Sequence, residues 1–109
     1  MRIVFTSFIF LCLAICVHAQ SDTIVSRIVL IGDAGQLING HQQVVDGVKK
    51  VVPMDERTTV IYLGDNLYRT GLPADQSQAY VAAHQVLDYQ LSIGEGTKTK
   101  VYMIPGNHD

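Results

Sequence analysis

Three short, almost wholly apolar runs, each closed by a glycine and an oxygen-bearing side chain, constrain this chain more than any other feature. Arg27-Ile28-Val29-Leu30-Ile31 ends at Gly32-Asp33, and Thr58-Thr59-Val60-Ile61-Tyr62-Leu63 ends at Gly64-Asp65. Lys100-Val101-Tyr102-Met103-Ile104 ends at Pro105-Gly106-Asn107-His108-Asp109. Runs this brief and this continuously β-branched predict strands buried on both faces, as in a parallel sheet. Two helical patterns separate them. Val44, Val45, Val48, Val51 and Val52 recur on one helical face, with Lys49 and Lys50 on the other and Pro53 as the stop. Valine is a poor helix former, so tertiary packing has to hold this segment. A second helix is predicted from about Pro73, with Tyr80, Ala83, Leu87 and Leu91 as its apolar stripe. Ser92 to Thr99, with Gly94 and Gly96, reads as the loop into the third strand. Strands alternating with helices imply right-handed crossovers and an open α/β sheet of βαβαβ order.

The N-terminus has a different character. Of its first 19 residues 15 are apolar, and Arg2 is the one charge. A run from Phe8 to Val17 leads to Val17-His18-Ala19, which puts compact residues at the −3 and −1 positions before Gln20. That order is the one of a secretory signal peptide cut after Ala19. The run is too short for a membrane span, which takes about 20 apolar residues. A lipidation box around Leu13-Ala14-Ile15-Cys16 is disfavoured by the bulk of Ile15 before the cysteine. The expected division is a signal peptide at 1–19 and a folded part at 20–109, exported to the outside of the cell or to the periplasm. No stable membrane span remains after cleavage. Cys12 and Cys16, the two cysteines, leave with the signal segment, so no disulfide is expected. A net charge of −2 argues against a nucleic-acid partner.

The strand ends carry the chemistry. Ligands of open α/β sheets gather at the carboxyl ends of strands. Asp33, Asp65 and Asn107 each follow a glycine there, so three oxygen donors are expected to face one crevice. Two carboxylates held together repel, and a cation relieves that repulsion. Tyr68, three residues past Asp65, lies within reach of the same crevice. A phenol, which ionises near pH 10 when free, becomes a ligand only beside a hard, highly charged cation. Each feature has a plainer explanation. Gly-Asp after a strand is a common turn with the aspartate capping the next helix. Tyr68 alone reads as a packing or surface aromatic, and His108 alone as an exposed one. The combination on three successive strands is what points to a site.

Taken together, Gly32-Asp33-Ala34-Gly35, Gly64-Asp65-Asn66-Leu67-Tyr68 and Gly106-Asn107-His108-Asp109 resemble the first three blocks of the calcineurin-like metallophosphoesterases. Within that superfamily they resemble the purple acid phosphatase branch. Most calcineurin-like enzymes carry a metal-binding histidine two residues after the first aspartate, where this chain has Gly35. The purple acid phosphatase pattern lacks that histidine and takes a tyrosine from its second block, where this chain has Tyr68. The resemblance implies hydrolysis of a phosphate ester by a metal-bound hydroxide, with two metal ions as cofactors. One is ferric iron; the other is a divalent zinc, iron or manganese. Asp33 and Tyr68 would hold the first ion, Asp65 would bridge the two, and Asn107 would hold the second. His108 would touch the phosphate and assist the leaving group, while Asn66 and Asp109 would orient the ligands. Hard oxygen donors suit a trivalent ion.

The resemblance also implies three further histidine ligands in two downstream blocks. Neither block is present, and His41 and His84 read as surface or packing residues of the two helices. Four of seven ligands do not complete a two-metal site. The expectation is therefore the βαβαβ N-terminal half of a metallophosphoesterase-type layered sandwich, a fragment inactive on its own. The competing reading is a non-catalytic secreted α/β fragment that binds phosphate or a partner. A nucleotide-binding βαβ module is weaker, because Gly32-x-x-Gly35 lacks the three-glycine fingerprint.

Overall fold

A computed structural model describes residues 23–74 and 77–109; the signal segment expected at 1–19 lies outside them. Five elements follow in order: strand β1 (Arg27–Ile31), helix α1 (Gln43–Val51), strand β2 (Thr58–Tyr62), helix α2 (Gln78–Leu91) and strand β3 (Lys100–Met103). A 3₁₀ turn at Ser92–Gly94 continues from α2. The strands form one open parallel sheet in the order β1-β2-β3. Val29 stands beside Val60 and Val60 beside Val101; Ile31 stands beside Tyr62 and Tyr62 beside Met103. The α/β class and βαβαβ order are as the sequence predicts, and the strand starts agree to the residue.

Burial departs from the prediction of strands covered on both faces. A strand order that steps twice in one direction by right-handed crossovers puts both helices on the same face. The exposure follows that rule. Ile31, Ala34, Val45, Val60, Tyr62 and Ile93 form the buried core, with Val29, Val48, Met54, Tyr89, Val101 and Met103 packed against it. The opposite face shows Ile28 (64% exposed), Leu30 (60%) and Tyr102 (54%) to solvent.

Both helices differ from expectation in detail. In α1, Val45 is fully buried and Val48 half-buried, whereas Val44 and Val51 are exposed. Gln42 caps the helix, its side-chain oxygen accepting from the backbone N–H groups of Val44 (2.6 Å) and Val45 (3.2 Å). The helix ends at Val52, in extended conformation directly before Pro53, as proline requires. Helix α2 begins at Gln78, not near Pro73. Ser77 is its cap, with Oγ accepting from the N–H of Tyr80 at 3.3 Å, and a hydroxyl at the cap position sets a helix start more firmly than an upstream proline. Leu91 is exposed, and the fully buried residue of α2 is the polar Gln90. The segment after α2 is more than a loop, since Ile93 seals the core.

Candidate metal centre

The backbone brings the three strand ends together by glycine-mediated close approach. The strand ladder runs one residue past each strand, with Leu63 N–H donating to Ile31 O at 2.8 Å and Ile104 N–H to Tyr62 O at 2.9 Å. The loops then meet. A Cβ on Gly35 would stand 2.7 Å from Asp65 O, 2.9 Å from Leu67 N and 2.9 Å from Cδ2 of Tyr68. Gly64 and Gly106 touch backbone to backbone, a Cβ on Gly64 standing 2.7 Å from the Cα of Gly106. The left-handed turn after β2 starts at Gly64 (φ 107°), but after β1 Asp33 itself takes it. Asp33 (φ 54°) and Asp65 (φ 52°) share this sparsely populated conformation. Aspartate tolerates it better than most residues, and such backbones cluster at functional sites.

Neither aspartate caps a helix, since Gln42 and Ser77 fill those roles. The turns are present, but the capping half of the plain explanation fails for both. Instead their carboxylates converge on one hydroxyl. Tyr68 Oη donates to Asp33 Oδ1 at 2.6 Å and lies 3.3 Å from Asp65 Oδ2. The hydrogen bond to Asp33, then burial, then the charges of Asp33 and Asp65 push the phenol well above its ordinary value. A proton thus sits where three hard oxygens meet.

The third loop closes on the other two. His108 N–H reaches Asp65 Oδ1 at 3.4 Å, and the His108 ring meets Tyr68 edge-on with centroids 5.5 Å apart. His108 Nδ1 lies 2.9 Å from Arg69 O, an acceptor only, so Nδ1 carries the proton and Nε2 is left for another group. Asp109 ties the second and third loops. Its Oδ1 accepts from Leu67 N–H (2.8 Å), and its Oδ2 accepts from Gly106 N–H (2.7 Å) and Asn66 Nδ2 (2.9 Å). Burial alone would raise this carboxyl, but these donors outweigh it and hold it below its ordinary value. Asn66 Nδ2 also donates to Ile104 O at 2.8 Å. Asn107 is exposed and makes no hydrogen bond among the described residues.

The structure therefore joins Asp33, Asp65, Tyr68 and His108 directly, binds Asn66 and Asp109 behind them, and leaves Asn107 exposed on the third loop without a hydrogen bond among the described residues. His41 and His84 lie elsewhere. His41 contacts Tyr89 and Asp46, and His84 packs on Tyr80 with centroids 4.4 Å apart. The donor chemistry suits a hard cation, with two carboxylates and a phenol facing one point. Among the described residues no group of three His, Cys, Asp or Glu side chains is placed to hold a metal ion. A cleft of about 380 Å³ opens beside Tyr68, lined by Leu37, Leu67, Pro73, Ala83 and Val86 among others.

One residue at the site escapes the sequence reading. Gln90, wholly buried, donates from Nε2 to Ala34 O and to Asn66 O, both at 2.8 Å. Its spacing from Ala83 and Leu87 places it on the predicted apolar stripe, and a lone amide on such a stripe was the available signal.

The molecule is an α/β protein whose open parallel sheet gathers acidic side chains at the carboxyl ends of its strands, where ligands of such sheets bind. The calcineurin-like phosphoesterase family profile matches residues 26–109, and the chain belongs to that family. Searches of curated proteins and of solved structures returned no match. The family hydrolyses phosphate esters and generally depends on two metal ions. Among the described residues no helix is long and apolar enough to cross a membrane.

Proposed function

We propose that this protein is an exported phosphatase of the purple acid phosphatase branch, with ferric iron and a divalent zinc, iron or manganese ion as its cofactors. The observation that carries the reading is the Tyr68 hydroxyl 2.6 Å from Asp33, in a loop packed so tightly on Gly35 that no side chain fits there. A Cβ at position 35 would meet the backbone of Asp65 and Leu67 and the edge of the Tyr68 ring, so the loops as folded leave no room for a ligand side chain there. A glycine at position 35 and a tyrosine at position 68 together support the reading of one lost and one gained ligand.

Asp33, Asp65 and Tyr68 would hold the ferric ion's side of the centre, with Asp65 also facing the second ion and Asn107 reaching it from the third loop. When bound, the two cations supply the positive charge that stabilises the attacking and leaving oxygens of an in-line displacement at phosphorus. The chain's own groups do the rest. Asp109 holds the third loop to the second through two hydrogen bonds and braces its own loop through a third. His108, fixed through Nδ1 by Arg69 O, offers Nε2 to a phosphoryl or leaving-group oxygen. The cleft beside Tyr68, with no charged lining residue, suits the uncharged organic part of an ester.

The test is to express the full reading frame, then measure phosphomonoester hydrolysis, bound iron and visible absorption. An active, iron-bound, coloured protein that loses its colour on Tyr68→Phe is the expected result. A colourless, metal-free, inactive product overturns the proposal. Export is checked separately by the N-terminal residue of the secreted protein, expected at Gln20.

A further inference from the structure

Gln90 lies outside all three strand-end blocks, on helix α2. Its amide is nonetheless placed between the two loops that carry the site aspartates. Ala34 directly follows Asp33, and Asn66 directly follows Asp65. Both acceptors are carbonyl oxygens, so the group facing them has to be the NH₂, and both its protons are used. Gln90 Oε1, also buried, finds no partner among the described residues. A side chain kept in place with an unsatisfied oxygen is held there by what its NH₂ does. Its helix end is anchored in turn by Tyr62 Oη donating to Gln90 O at 2.8 Å.

Few other links span these two loops. Tyr68 N–H donates to Gly35 O at 3.1 Å, and Tyr68 Oη joins the carboxylates. The carboxylates repel one another, and both aspartates sit in a left-handed backbone that the surroundings must enforce.

We infer that Gln90 is a positioning residue: its amide clamps the Asp33 and Asp65 loops from behind and fixes the separation of the two carboxylates before any cation arrives. The inference deepens the proposed metal centre and rests on that reading for its consequence, but the clamp itself is testable in metal-free protein. Gln90→Met keeps length and helix propensity while removing both donors. Tyr62→Phe removes a buried hydrogen bond from the same helix end without touching either loop carbonyl, and serves as the comparison for a purely structural loss.

Two measurements on the full chain decide the matter. The first is amide hydrogen exchange without metal, comparing Tyr68 N–H, which bridges the loops, with Leu63 N–H, which belongs to the strand ladder. In Gln90→Met, Tyr68 exchange should accelerate about tenfold more than Leu63 exchange; in Tyr62→Phe the two should accelerate together. The second is calorimetric titration with Zn²⁺ and Mn²⁺. Gln90→Met should bind about 10–100-fold more weakly, and Tyr62→Phe within about twofold of the unmodified chain. Equal acceleration of both amides in Gln90→Met overturns the clamp, as does unchanged metal affinity in a chain that binds metal. If the unmodified chain binds neither ion, the metal centre falls and the exchange ratio alone judges the clamp. Should Gln90→Met fail to fold, Gln90→Asn, one methylene too short to span both carbonyls, is read by the same ratio.

Discussion

The same chemical change, glycine to alanine, should have three different outcomes at three positions of this chain. At Gly35 the added methyl would stand 2.7 Å from one backbone atom, 2.9 Å from another and 2.9 Å from the Tyr68 ring. Two of these neighbours are backbone and cannot swing aside, so the loops must part. Overpacking of this kind costs about 1–3 kcal/mol. At Gly32, directly after β1 and before Asp33, nothing lies within 4 Å and φ is not positive, so alanine should change stability by less than about 0.5 kcal/mol. At Gly47, inside α1 and equally open, alanine should stabilise by about 0.5–1 kcal/mol through helix propensity. Urea unfolding of the three variants reads these as shifts in midpoint at constant slope. In heat, each kcal/mol should move the midpoint by about 4–8 °C. The order Gly47→Ala, Gly32→Ala, Gly35→Ala, from most to least stable, is the expectation. A Gly35→Ala variant as stable as Gly32→Ala would refute the claim that close approach, rather than turn geometry, is what position 35 requires.

Other outcomes follow from the same contacts. Asp109→Asn replaces an acceptor of three hydrogen bonds by a group that also donates, and should lower stability by about 1 kcal/mol and weaken Zn²⁺ binding, by denaturation and titration respectively. Ile31→Ala should cost about 2–5 kcal/mol, whereas Ile28→Ala, three positions away on the open sheet face, should stay within about 0.5 kcal/mol; equal losses would mean that both faces are covered. Asp46 is held below its ordinary pKa, first by the Tyr89 hydroxyl at 2.6 Å and then by His41, so its contribution to stability is full above about pH 4 and is lost as pH falls through the depressed value. Asp46→Asn should accordingly flatten the acid limb of stability against pH while leaving the neutral region little changed in slope.

The strands were legible because their signal is local. A β-branched run flanked by Gly-Asp reads the same in any context, and Arg27, Thr58 and Lys100 open the strands as expected. Helix α2 was less so. Its start depends on whether the chain turns helical after Pro73 or only after Ser77, whose hydroxyl accepts a free N–H, and propensity alone does not rank the two. The site blocks were also legible as a set, yet two details were not. After β1 the left-handed residue is Asp33, not the glycine before it. Asn107 was expected beside the other donors and makes no hydrogen bond among the described residues, while Asp109 makes three.

By itself, the order of residues determined the α/β class, the parallel alternation of strands and helices, and which side chains could form an oxygen-donor centre, because periodicity and turn chemistry act over a few neighbours. Only the tertiary structure decided that one sheet face carries the helices, that Gly35 and Tyr68 occupy adjoining space, and that Gln90 reaches across from α2 to both aspartate loops. Those outcomes depend on atoms tens of residues apart meeting within 3 Å, and no local pattern encodes such a distance.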